Sequence, residues 1–177
     1  MKIEKETPHV MMYKLKCDNE EEDKDRCAWA NFTLDFDMRR LSIHSDLGDF
    51  DYVWGPSDNQ PLMQLLSEVT EEYLLSKISS RSIFDIVETK NELIKDVKAG
   101  WWDYGVEEAD AIINAINEIP DITTEESWLN AVKDIIKNIE FVDIPVEKRY
   151  PHNARLIAKF FIKYLQPEIK KDIGNNL

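Results

Sequence analysis

Apolar residues along the chain recur first at every second position and later at about every 3.6 residues, with the change near Asp58. In residues 9–17, Met11, Tyr13, Leu15 and Cys17 share one face while Met12, Lys14 and Lys16 share the other, which predicts a first strand. Ala28, Ala30, Phe32, Leu34 and Phe36 alternate with Trp29, Asn31, Thr33 and Asp35, a second strand of β-branched and aromatic character. Between them lies DNEEEDKDR, residues 18–26, which neither period can bury and which therefore predicts an exposed loop.

Residues 35–55, DFDMRRLSIHSDLGDFDYVWG, hold two more alternating segments and predict a β-hairpin. A two-residue loop at Leu47 and Gly48 would pair Ser45 with Phe50, Ile43 with Tyr52 and Leu41 with Trp54. The polar face would then pair Ser42 with Val53, His44 with Asp51 and Asp46 with Asp49. The last pair sets two like charges opposite each other, which turn amides or a bound cation would have to relieve.

The helical pattern begins at Pro61, with Leu62, Leu65, Leu66 and Val69 facing inward, and continues from Thr70 with Tyr73, Leu74, Leu75 and Ile78. After the loop at residues 79–82, Ile83, Ile86, Val87, Leu93, Ile94 and Val97 form a third stripe closed by Gly100. Trp101, Trp102 and Tyr104 form an aromatic cluster, suited either to covering the core where helices join or to anchoring a partner. A fourth stripe runs over Ala109, Ile112, Ile113, Ile116 and Ile119. Thr123 with Glu126 resembles a capping box for a fifth, over Trp128, Leu129, Val132, Ile135, Ile136 and Ile139. The last, over Ala154, Ile157, Phe160, Phe161, Tyr164 and Leu165, is expected to end at Pro167. The prediction is an α+β fold, a single domain over residues 1–177. A small antiparallel meander at 9–55 packs against a mostly helical region at 60–173.

Charge changes the picture more than size does. The chain has 177 residues, 43% of them hydrophobic, enough for one real core. Its net charge of −13 argues against direct nucleic-acid binding, which needs Lys and Arg facing the phosphates. The acidity peaks at residues 101–150, with 12 acids against 4 bases, whereas residues 151–177 carry 2 against 5. Solvated helix faces account for such a pattern, and so does an acidic surface that imitates nucleic acid. The start, MKIEKETPHVMMYKLK, lacks the apolar centre of a signal peptide, and no run approaches the ~20 apolar residues of a membrane span. A cytoplasmic protein is expected, with Cys17 and Cys27 as reduced thiols, the alternative being a disulfide between them across the single loop they flank.

Motifs for catalysis are sparse. The five glycines form neither a dinucleotide nor a P-loop fingerprint, no G-x-S-x-G elbow occurs, and His9, His44 and His152 form no zinc-binding pair. Cys17 would end the first strand on its apolar face, which predicts an inert thiol. The best catalytic set is His44 with Asp46, Asp49 and Asp51, a candidate for metal-assisted hydrolysis with Asp46 and Asp49 as a weak cation pair. We expect no enzyme and no cofactor.

The stretch LSIHSDLGDFDYVWG, residues 41–55, followed by PLMQLLSEV, EEYLLSKIS and FDIVETKNELI, resembles a recurrent family of proteins encoded by bacteriophages and prophages. Its members carry a Ser-Asp-x-Gly-x-Tyr/Phe-x-Tyr-x-Trp hairpin and a following Tyr-Leu-x-x-Lys-Leu/Ile-Ser helix. Residues 149–152, Arg-Tyr-Pro-His, leading into Phe160 and Phe161, are similar to the family's ending. The resemblance covers residues 28–98 and, more loosely, 148–167; Leu47, Asp51 and Val53 depart from its aromatic ladder. It supplies no activity and implies a setting, a small accessory protein of a mobile element in a bacterial cytoplasm.

The expected function is therefore a non-catalytic accessory protein that binds and inhibits a host or defence protein with a basic surface, as an anti-CRISPR does. Its partner-binding residues would be Trp101, Trp102, Glu107, Glu108, Asp110, Glu118, Asp121, Glu125 and Glu126. The alternative is the hydrolase centred on the hairpin, and a third reading is a subunit that forms a homodimer through its apolar helices.

Overall fold

The computed structural model describes residues 7–16, 27–55, 60–100, 104–136 and 144–175. Within these residues the fold is α+β, as the two periodicities predict. The strands β1 (Val10–Lys16), β2 (Trp29–Asp35), β3 (Arg40–Ser45) and β4 (Gly48–Val53) form an antiparallel sheet in sequence order. The charge run at 18–26, Cys17, Trp101, Trp102 and Ile139 lie outside the described residues.

Contacts divide the chain into two compact units, and the division does not fall at the end of the meander. The first unit, residues 1–80 and 150–177, adds to the sheet α1 (Leu62–Glu68), α2 (Glu71–Ile78), α6 (His152–Phe160) and α7 (Gln166–Asn175). Alternation sends Ala30, Phe32, Leu34, Leu41 and Ile43 into one core with Leu66, Leu74, Ile157 and Phe161. The rings of Phe32 and Phe161 meet edge to face at 5.9 Å. Full burial of each stabilises by roughly 1.5–3 kcal/mol.

The second unit, residues 81–149, holds α3 (Ile86–Lys98), α4 (Val106–Glu118) and α5 (Glu125–Ile135) around Leu93, Ile116, Trp128, Val132 and Ile136. Its two chain ends are stitched together by a short antiparallel ladder, β5 (Ile83–Phe84) with β6 (Lys148–Arg149). Thr89, fully buried, accepts the Glu147 amide at 2.9 Å and reinforces that closure. Ile83 therefore belongs to a strand, and Asp85 rather than the loop before it caps α3 by accepting the Glu88 amide. The cap of α5 also moves by one residue. Thr124, not Thr123, accepts the Ser127 amide.

The last helix does not stop at Pro167. Between α6 and α7 the chain passes through one π turn, Phe161–Leu165, whose following amide, Gln166 N–H, donates to Phe161. A proline ring clashes with the carbonyl four residues before it, and the wider turn makes room for that ring. The extra residue also resets the apolar stripe. Ile157, Phe161, Leu165, Ile169 and Ile173 are spaced by four, so a regular helix would rotate the first and last roughly 160° apart. One inserted residue takes back roughly 100° and keeps them on the core side.

Candidate functional site

The hairpin is built in a different register from the one its sequence suggests. Asp46 and Leu47 are the loop, and the pairs are Ser45 with Gly48, His44 with Asp49, Ile43 with Phe50, Ser42 with Asp51 and Leu41 with Tyr52. Positive φ falls on Gly48, at 122°, and on neither loop residue. This is the pattern of a turn followed by a left-handed glycine rather than a mirror-image two-residue turn. The slip of two residues preserves which face each side chain takes, so the core assignment survives and only the polar pairs change.

The physical reason lies in Asp46. In the expected register it would oppose Asp49; in the structure its carboxylate turns toward the start of β2. There it accepts the Ala28 amide at 2.9 Å, the Trp29 amide at 3.4 Å and the thiol of buried Cys27 at 3.3 Å. Burial pushes its pKa up, but these donors win and hold the carboxyl below the usual carboxylate range. Both oxygens of the Asp46 carboxylate are thus engaged by donors other than Asp49.

On the outer face of the sheet, register lines up Lys14, Asn31, His44 and Asp49 in one row and Met12, Thr33, Ser42 and Asp51 in the next. His44 Nδ1 bonds the Asp49 carboxylate, and Trp29 meets the imidazole edge on at 5.0 Å. Asp51 accepts from Arg40 Nε and from Ser42 Oγ at 3.0 Å. Arg40 is the residue that pattern reading passed over, although its spacing from Ser42 and His44 puts it on their face.

The catalytic constellation therefore separates into a His44–Asp49 pair, an Arg40–Ser42–Asp51 group and an Asp46 turned away. The pair stands largely in solvent, with side-chain exposures of 67% and 76%. Among the described residues, no group of three or more His, Cys, Asp or Glu side chains could hold a metal ion. An imidazole oriented by a carboxylate can move a proton; beside the pair lies an open hollow of about 270 Å³ lined by Asn31, Thr33, Arg40, Ser42, Phe50 and Asp51, facing solvent rather than closed around a substrate.

The acidic set is distributed over α4, α5 and the loop between them. Glu107 and Glu108 occupy the first turn of α4, Glu125 and Glu126 that of α5, where helix dipoles favour carboxylates. The α4 amphipathy, with Ile112 and Ile116 buried, puts Glu107, Asp110 and Glu118 on the solvent side. Glu107 and Glu118 lie about 16 Å apart along the helix. Glu125 is partly covered and pairs with Lys148 at 2.9 Å. The other six acids, Glu107, Glu108, Asp110, Glu118, Asp121 and Glu126, are exposed and without an ion pair among the described residues. Tyr104 is half-buried against this unit's core, and burial followed by the charge of Glu108 raises its phenol pKa.

The sequence of this unit contains 16 acids and 8 bases, so it carries −8 of the chain's −13. No helix among the described residues is long and apolar enough to cross a membrane. No curated protein and no solved structure matches the chain. A family model described as a phage family matches residues 1–171, nearly the whole length, and so spans both units and the hairpin signature together. The chain belongs to that phage family.

Proposed function

We propose that this phage protein is a non-catalytic binding protein that acts in the cytoplasm of the bacterial host and inhibits a host or defence protein, a CRISPR effector or a comparable nuclease. The observation that carries this reading is the set of six exposed acids on α4, α5 and their loop that make no ion pair among the described residues, in a unit of net charge −8. An excess of exposed carboxylates sets up a negative field, and a basic nucleic-acid channel is the protein surface such a field attracts. The charge also disfavours nucleic acid itself as the ligand.

The test is affinity capture from host lysates at low salt, with the wild-type chain beside a variant carrying Glu107→Gln, Glu108→Gln, Asp110→Asn and Glu118→Gln. These positions are exposed, so the variant should fold. A basic partner held by the wild type and lost by the variant supports the reading. A partner held equally by both, or none from hosts with varied defence systems, counts against it.

A further inference from the structure

The second unit carries a groove that its acidic surface alone does not explain. It runs between the middle of α4 and the end of α5 and is lined by Tyr104, Ala111, Ile112, Ala115, Ile135 and Ile136. Ala111 and Ala115 lie on successive turns of α4, and their single methyl groups leave open the space that larger side chains would fill. Glu108 borders the groove from α4 and Asp134 from α5. Both are exposed, and neither makes an ion pair among the described residues.

We infer that this groove docks one amphipathic, basic helix of the partner protein. From Glu108 to Ala115 it extends about 10 Å, two turns of helix. A helix laid along it would place apolar residues at i, i+3 or i+4 and i+7 over Ala111, Ala115 and Ile135, with Lys or Arg beside Glu108 and Asp134. The charge selects this occupant over the alternatives. A second copy of the unit would bring like charge to like, and an acidic or neutral helix would leave both rim carboxylates unanswered. The inference rests on the reading of this unit as the partner-binding part, and it names the kind of element that enters.

The probe is an end-blocked peptide of roughly 14 residues, about four helical turns, with Leu at i, i+3, i+4 and i+7 positions and Lys elsewhere. Its counterpart replaces each Lys by Glu. Both are titrated into the ¹⁵N-labelled full chain while amide shifts are followed. The Lys peptide should bind with micromolar affinity and shift Ala111, Ala115, Ile135 and Ile136, and the Glu peptide should shift none of them. Ala111→Trp, which fills the groove from an exposed position, should weaken the Lys peptide by about tenfold or more. Ala111→Gln replaces that variant if its circular dichroism departs from wild type. Shifts confined to Glu118, Asp121 and Glu126, unchanged affinity in the Ala111 variants, or concentration-dependent shifts without peptide each overturn the inference. A natural partner captured equally by wild type and Ala111→Trp overturns the groove alone and leaves the acidic-surface reading standing.

Discussion

Gln166 begins α7 immediately after the π turn, and its side chain is buried with 8% exposure. Its amide nitrogen donates to the carbonyls of Leu66, at 3.2 Å, and Val69, at 2.8 Å. One side chain thereby satisfies acceptors at the end of α1, which no intrahelical amide can reach. Gln166→Met keeps length and approximate volume but removes both donors. Each orphaned buried acceptor costs about 1–3 kcal/mol, and extra apolar burial by the thioether returns about 1 kcal/mol. The net loss for the two acceptors together should be about 1–5 kcal/mol, equivalent to a fall in Tm on the order of 10 °C for a chain of this size. Urea unfolding followed by circular dichroism measures it, with a lower midpoint at unchanged m. A loss below about 0.5 kcal/mol would refute the reasoning. It would mean that water or a shifted turn satisfies the two carbonyls and that Gln166 does not join α7 to α1.

Three further outcomes are expected. Asp46→Ala should destabilise by about 1 kcal/mol near neutral pH, after discounting its hydrogen bonds for solvent exposure. Because the folded carboxyl sits below its ordinary value of 3.8, that contribution is complete above this pH and disappears as pH falls through the folded value. Urea midpoints of the two proteins should therefore converge in acid, and a constant gap would be contrary. The Tyr13 hydroxyl donates to Asp172 at 2.7 Å, and burial, then this bond and the Asp172 charge, raise its pKa far above the ordinary tyrosine value. Tyr13→Phe should cost about 1 kcal/mol at neutral pH; the difference persists below about pH 10 and shrinks as pH rises through the folded value, whereas a widening gap in alkali would contradict it. Trp128, fully buried, donates its indole N–H to Pro145 at 3.0 Å. Trp128→Phe should cost roughly 2–3 kcal/mol from lost volume and an orphaned carbonyl, read as a lower urea midpoint, and a wild-type midpoint would be contrary.

The periods of two and 3.6 made the strands, the inner faces and most helices legible, because burial of alternate or striped positions is what those periods encode. Pairing register was legible only modulo two. Hydrophobic pattern decides which face Leu41 and Ile43 take, but not whether Tyr52 opposes one or the other; that choice came from Asp46 finding the Ala28 and Trp29 amides on another strand. Pro167 read as a stop because proline disrupts an α-helix, and the π turn that accommodates it left its trace only in the run of four-residue apolar spacings from Ile157 to Ile173. The short β5–β6 ladder was hidden for a related reason, since two residues per strand are too few to show any period. At the candidate site, the acidic residues were visible as composition, while the groove was not. It depends on small side chains, Ala111 and Ala115, facing Ile135 across a helix pair, and absence of bulk gives no sequence pattern of its own.

The central claim, that the acidic unit recruits a basic partner, is tested most directly by the association rate between this chain and its captured partner as salt is varied. Long-range attraction predicts a rate that falls about tenfold or more between roughly 50 and 300 mM salt. The variant with Glu107, Glu108, Asp110 and Glu118 neutralised should begin near the low plateau and change little. A rate that ignores salt and is the same for both proteins would contradict the account.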